Sequence, residues 1–211
     1  MHEYKLNDNS TLYWLSHASF KIKTSDKTIY IDPFEINESD PADIILITHA
    51  HYDHCSVDDI QKIVKNTTNI LAPADCIQKF AGRLMGKIQP VLPNNKYTIL
   101  GIEIETVSAY NTNKQFHPKE NGWVGYIINA SGTRVYHAGD TDFIPEMSKI
   151  KTDVALLPVG GTYTMTAKEA ANACLAITTK IAIPMHYGKI VGAKESAEEF
   201  KKFASCKVLI I

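Results

Sequence analysis

One stretch constrains this chain more than any other: Thr48-His49-Ala50-His51-Tyr52-Asp53-His54, directly after the apolar run Ile44-Ile45-Leu46-Ile47. It sets three imidazoles and one carboxylate within six residues. Four such donors at a strand end have no ordinary packing role, and they are the side chains that hold divalent ions. The apolar run is short enough for a single buried strand, so the fold must present that strand's end to further donors. His49 and His51 stand two apart, and an extended backbone aims both to one side. Asp53 and His54 enter the turn beyond and point elsewhere, which suits two adjacent ions better than one.

The rest of the chain divides into strands and helices that can supply the missing ligands. Leu12 to Leu15, Phe20 to Lys23 and Thr28 to Ile31 read as short strands, with Ser25-Asp26 as a hairpin turn. Ile44 to Ile47 lacks alternation, the pattern of a strand covered on both faces. Ser56 with Asp59 resembles a capping box opening a helix to about Lys65. Asn69 to Ala72 is a strand and Ala74 to about Phe80 a helix; Val91-Leu92 and Tyr97 to Leu100 are weak strands. Gly101 to Ala109 alternates, and a polar stretch from Tyr110 to Gly122 follows as a functional loop. Trp123 to Asn129 and Thr133 to His137 form a hairpin about Ser131-Gly132. Then come a short helix at Pro145 to Lys149, a strand at Asp153 to Val159 and a helix capped by Thr166 and Glu169. A strand at Ile181 to Met185, a helix at Ala193 to Ala204 and a strand at Val208 to Ile211 complete the chain. Hairpins first and alternating strands and helices later predict a mixed α/β chain, residues 1–211 forming a single domain.

Composition removes several classes. Hydrophobic residues at 45% and charged residues at 21% are ordinary for a globular protein, and a net charge of -1 gives no reason to expect nucleic acid or an anionic membrane. No apolar run approaches the ~20 residues of a membrane helix. The polar start of the chain lacks a signal-peptide core, and Cys55, Cys76, Cys174 and Cys206 show no CxxC spacing. These features predict a cytoplasmic protein with reduced thiols, and a homo-oligomer is compatible with them.

Further donors stand just past other predicted strands: Asp140 after Tyr136, His186 after Ile183, and Asn111 with His117 after Val107. Ligands of α/β sheets gather outside the carboxyl ends of strands, so these positions can converge. Nitrogen and oxygen donors together suit zinc, manganese or ferrous iron. His17 and His137 are expected outside the ligand set or in the core, His2 on the surface, and Cys55 as a small buried residue. Tyr163 and Tyr187 are candidates for hydrogen bonds to substrate, and Gly160-Gly161 could let the backbone approach it closely. Lys114, Phe116 and Lys119 make the 110–122 loop a candidate specificity loop for an anionic small molecule.

Thr48 to His54 matches the HxHxDH signature of the metallo-β-lactamase superfamily of metal-dependent hydrolases, which the sequence resembles over nearly its whole length. His137-Ala138-Gly139-Asp140-Thr141 is similar to its later aspartate motif, and Pro184-Met185-His186-Tyr187-Gly188 to its final histidine motif. Leu15-Ser16-His17-Ala18-Ser19-Phe20 and Tyr30-Ile31-Asp32-Pro33 look like the opening of its small branch related to ascorbate-6-phosphate lactonase. The resemblance implies an αββα sandwich of two mixed sheets flanked by helices. It implies that His49 and His51 bind one ion, Asp53, His54 and His186 a second, and that Asp140 bridges. Relatives place a histidine where Asn111 stands here, so His117 substitutes as the remaining ligand, or Asn111 ligates through its carbonyl oxygen, or the first site is weak, with His117 favoured. The implied activity is hydrolysis of a small ester, lactone or phosphodiester by metal-activated hydroxide, with two zinc ions (or manganese or iron) and Asp53 as the catalytic carboxylate. A phospholipase-D-like phosphodiesterase and a non-catalytic metal-binding sensor or assembly protein are the alternatives.

Overall fold

The computed structural model describes residues 2–37, 40–80 and 82–211. Its strands fall into two sheets in chain order. The first holds β1 (His2–Asn7), β2 (Ser10–Ser16), β3 (Ser19–Thr24), β4 (Thr28–Ile31), β5 (Ile44–Leu46), β6 (Asn69–Ala72) and β7 (Lys87–Pro90). The second holds β8 (Lys96–Ile99), β9 (Ile102–Ser108), β10 (Val124–Ala130), β11 (Thr133–His137), β12 (Val154–Pro158), β13 (Ile181–Met185) and β14 (Lys207–Val208). Both follow one plan: an antiparallel ribbon, then parallel strands. No repeat is visible in the sequence, so the recurrence is one of topology.

Parallel neighbours need long crossovers, and helices supply most of them. Helices α1 (Val57–Ile63) and α2 (Ala74–Phe80) follow β5 and β6, while α3 (Ala167–Ala176) and α4 (Lys194–Phe203) follow β12 and β13. Alternate residues of the motif strand go to opposite faces. Ile44 and Leu46 join the main core with Phe20, Tyr126 and Leu156, and Ile45 and Ile47 pack with Val57, Ile60, Ile63 and Phe80 of α1 and α2. Coverage on both faces explains why the run lacks alternation. The layers are helix, sheet, sheet and helix, the αββα sandwich expected.

Two contacts tie the motif to the opposite sheet. The buried Tyr126 hydroxyl of β10 donates to the carbonyls of Ile47 (2.9 Å) and Leu71 (3.1 Å), and the Val124 N–H donates to the Thr48 carbonyl (3.1 Å). The strand end that carries the histidines is therefore fixed by both halves of the chain.

Some elements differ from expectation. Strand β1 pairs with β2 although the polar segment gives no apolar alternation, because it lies at a largely exposed sheet edge. Pairing expected at Val91-Leu92 occurs at Lys87–Pro90, the other edge of that sheet, where exposed residues leave no pattern to read. The last strand is Lys207–Val208 rather than Val208 to Ile211. The capping box of α3 is complete, with Glu169 accepting from the Thr166 N–H at 2.7 Å. At α1 Ser56 caps, but Asp59 accepts from the N–H groups of Glu35 and Ile36. Among the described residues, no helix is long and apolar enough to cross a membrane.

Candidate metal centre

After β5 the chain turns sharply, the N–H groups of His54 and Cys55 both donating to the His51 carbonyl (3.1 and 2.8 Å) before α1 begins. That turn separates the donors as the spacing implied. His49 and His51 lie on one side with His117, which the loop after β9 brings in. Asp53 and His54 lie on the other with His186, at the end of β13, and with His17. Asp140, beyond β11, sits between the two groups. Its Oδ2 is 3.2 Å from His117 Nε2 and 2.9 Å from His186 Nε2, and its Oδ1 is 3.3 Å from His54 Nε2. Every predicted donor is thus brought to one place.

The chemistry of these donors fits divalent ions. Nε2 of His54, His117 and His186 and Oδ1 of Asp140 are buried without a hydrogen-bond partner. Buried polar atoms are almost always paired, and several converging lone pairs are what a cation satisfies. The far nitrogens of His49, His54 and His117 are held instead, while His186 Nδ1 is buried without a partner. Thr48 Oγ1 donates to Asp32 Oδ2 (2.6 Å), so it accepts from His49 Nδ1 (2.9 Å). Asp32 also takes the His54 Nδ1 proton (2.7 Å) and the Thr48 N–H (2.8 Å). His117 gives its Nδ1 proton and its backbone N–H to Asn111 Oδ1 (3.1 and 3.0 Å). Each contact fixes a tautomer that leaves Nε2 as the ligating atom.

Asn111 and His117 differ in their contacts. Both functions of the Asn111 amide are committed, its oxygen to His117 and its nitrogen to Asp142 Oδ1 (3.1 Å) and the Tyr163 carbonyl (3.0 Å). Asn111 orients His117, and His117 points into the donor cluster.

Two residues have a larger part here than the sequence suggested. Asp32 is fully buried and organises the motif from the end of β4. His17, expected outside the ligand set, has its ring 4.0 Å from that of His186 and its Nε2 3.3 Å from Asp53 Oδ2, close but not aligned as a hydrogen bond. Both have left-handed backbones, His17 at φ +47° and Asp32 at +46°, as does His186 at +59°. Such conformations cost about 1–3 kcal/mol each in non-glycine residues and cluster at functional sites. His137 is a core residue, its Nε2 bonded to the Ala18 carbonyl at 2.8 Å.

Gly160 has a packing reason. A Cβ there would lie 2.5 Å from the His186 carbonyl oxygen and 3.1 Å from its Nδ1, so a side chain would displace the final histidine. Tyr187 stacks on Trp14 at 5.4 Å rather than lining the mouth of the cluster, whereas Tyr163 does line it. The lysines on which an anionic substrate was expected are both committed: Lys114 to Asp142 (2.6 Å) and Lys119 to Glu146 (3.1 Å).

Charge inside the cluster is strongly coupled. Burial pushes the Asp53 carboxyl up, but contact with His17 and the nearby His54 cation hold it down at about 2. Burial pushes His54 down, yet Asp140, Asp32 and Asp53 around it raise it to about 10. With its folded value above the ordinary 6.5, the His54 cation stabilises the metal-free protein fully below pH 6.5, and that stabilisation is lost as pH rises through about 10. A ligating Nε2 cannot keep its proton, so metal uptake at pH 7 is expected to release at least about one proton and to tighten as pH rises. Calorimetric titration in two buffers of different ionisation enthalpy reads this directly. Uptake with no proton release would remove His54 from the ligand set.

Two crossed-over sheets with imidazole and carboxylate donors gathered at one edge define a metallohydrolase of the β-lactamase type. A β-lactamase superfamily domain profile matches residues 11–186. A UPF0173 metal-dependent hydrolase of Methanopyrus kandleri is 34% identical over 90% of this chain and 89% of its own. A crystal structure from Parabacteroides distasonis, assigned to the metal-dependent hydrolases, superposes with a TM-score of 0.83 at 36% identity, covering 95% of this chain and 92% of that one. A Thermotoga maritima structure assigned as a zinc-dependent hydrolase of the metallo-β-lactamase superfamily shares the fold, with a TM-score of 0.66 at 23% identity over 95% and 97% of the two chains. The chain belongs to the UPF0173 metal-dependent hydrolases of the metallo-β-lactamase superfamily.

Proposed function

We propose that this hydrolase cleaves a small carboxylic ester or lactone at a centre of two zinc ions. The carrying observation is the meeting of two donor groups at Asp140, whose carboxylate approaches His117, His186 and His54 within 3.3 Å. His49, His51 and His117 would hold one ion, Asp53, His54 and His186 the other, and Asp140 both. Mixed nitrogen and oxygen donors support zinc, as does the assignment of the Thermotoga relative. A lactone is the substrate type implied by the resemblance to the ascorbate-6-phosphate lactonase branch. Free thiols at all four cysteines accord with action in the cytoplasm.

Divalent ions held there supply Lewis-acid activation of a water and of the scissile carbonyl near neutral pH. The chain's own part is orientation and proton handling. Asp53, whose carboxylate lines the cluster's mouth, would accept the O–H of the attacking water and hand the proton on to the leaving oxygen. The water oxygen bonds to the acyl carbon, the acyl C–O bond breaks, and the proton ends on the leaving oxygen.

The test is metal content by elemental analysis alongside turnover of dihydrocoumarin, 4-nitrophenyl acetate and bis(4-nitrophenyl) phosphate in one zinc-loaded sample. Two ions per chain and turnover of the lactone or ester well above the phosphodiester are expected. His117→Ala should lose about one ion, whereas Asn111→Ala should weaken binding by about 10–100-fold without removing a ligand. Faster turnover of the phosphodiester would reassign the substrate class. Full activity in His51→Ala would overturn the metal mechanism.

A further inference from the structure

The donor cluster opens into a cavity of about 230 Å³ whose wall differs in character from its floor. The floor is His51, Asp53, His117, Asp140 and His186; the wall is Tyr52, Phe116, Tyr163 and Ile190. Among the described residues, no lysine or arginine lines it. A larger cavity of about 520 Å³ near β2 touches His17 but none of the predicted donors.

Three of the wall side chains are unusually bare: Tyr52 is 65% exposed, Phe116 45% and Ile190 38%. Apolar side chains gathered about one mouth mark a surface that a ligand covers. Two are already posed. Phe116 meets Tyr163 edge to face at 4.7 Å, and Tyr52 meets Phe34 the same way at 5.9 Å. Each leaves surface free toward the cavity for an aromatic or branched group. The cations nearest in sequence are committed elsewhere, Lys114 to Asp142, Lys119 to Glu146 and Lys189 to Glu35. A charge carried by the far end of a substrate would therefore lose its water against aromatic walls with no partner, a costly transfer.

Resting on the ester or lactone reading above, we propose that the substrate is a small neutral molecule whose acyl or alcohol part is aromatic or branched and apolar, seated between Tyr52 and the Phe116–Tyr163 pair. The cavity is below the ~300 Å³ at which drug-sized pockets begin, which restricts the occupant to a compact molecule. Selectivity lies in the wall, and ions at the floor act on the scissile group alone.

The experiment compares zinc-loaded enzyme on 4-nitrophenyl butyrate and 4-nitrophenyl 4-sulfobutyrate. These share the scissile bond and differ by a distal sulfonate, which is a weak zinc ligand and so reads the wall. A kcat/KM ratio of at least about tenfold in favour of the butyrate is expected. Phe116→Ala and Tyr52→Ala should each raise KM for the butyrate severalfold, with kcat changed less than KM, and shrink the ratio. Equal or faster turnover of the sulfonate, or a ratio untouched by both substitutions, overturns the proposal while leaving ester hydrolysis in place. Turnover of neither ester defeats the ester reading instead. The wall is then read by calorimetric binding of butyranilide against its 4-sulfo counterpart, where tighter binding of the neutral anilide supports the proposal and equal or weaker binding overturns it.

Discussion

Asp140→Asn is expected to strip both ions from the centre and to lower kcat/KM at least about 1,000-fold, equivalent to about 4 kcal/mol of barrier. The reason is geometric. One carboxylate oxygen approaches His117 of one donor group and His186 of the other, and the second oxygen approaches His54, all within 3.3 Å. An amide keeps the shape but loses the negative charge that both groups face and puts an N–H donor where one oxygen stood, so the hold on both ions is weakened. Elemental analysis of the purified variant, with far-ultraviolet circular dichroism to confirm folding, gives the answer. A variant that keeps two ions and a tenth of the activity would show that Asp140 does not join the groups.

Asp32→Ala should act from outside the ligand set and hit stability as well. Asp32 is 0% exposed and accepts from the Thr48 N–H, the Thr48 hydroxyl and His54 Nδ1. Removing it leaves those donors buried without an acceptor beside a His54 cation, a loss of about 3–5 kcal/mol for a broken buried pair. Metal affinity should fall about 10–100-fold as the His54 ring is freed. Denaturant unfolding of chelator-treated protein separates the first effect from the second, which a competition titration with a chromophoric chelator reads. Asp32→Asn, which can keep the bond from the Thr48 N–H, should be milder in both. If Asp32→Ala unfolds at the same denaturant concentration as the parent chain, the buried anion is not what anchors the motif.

The parts of the centre readable in the sequence were those held close together along the chain. His49 to His54 announced themselves by density, and Asp140 and His186 by their place just past a strand. Asp32 did not, because its partners lie 16 and 22 residues away and an aspartate before a proline reads equally well as a strand end. His17 reads as lying behind the ligands or in the core, and nothing local shows that a tight turn after β2 brings its ring to 4.0 Å from that of His186. The turning of His117 toward the donors depends on a loop closing on itself, with the Asn111 N–H on the His117 carbonyl at 2.8 Å, and the intervening residues do not encode that visibly. In the fold, strands covered on both faces were legible from their unbroken apolar runs. The edge strands β1 and β7 were not, since an exposed edge imposes no apolar alternation.

The shared plan of the two sheets has a mechanical consequence. His49, His51, Asp53 and His54 come from the first half of the chain, and His117, Asp140 and His186 from the second. Each donor group draws on both halves, so an ion held as proposed would be a staple across the seam between the sheets rather than a bead inside one of them. Ions held as proposed would join the Tyr126 and Val124 bonds that cross the same seam. Holding the catalyst and holding the two halves together would then be the same act.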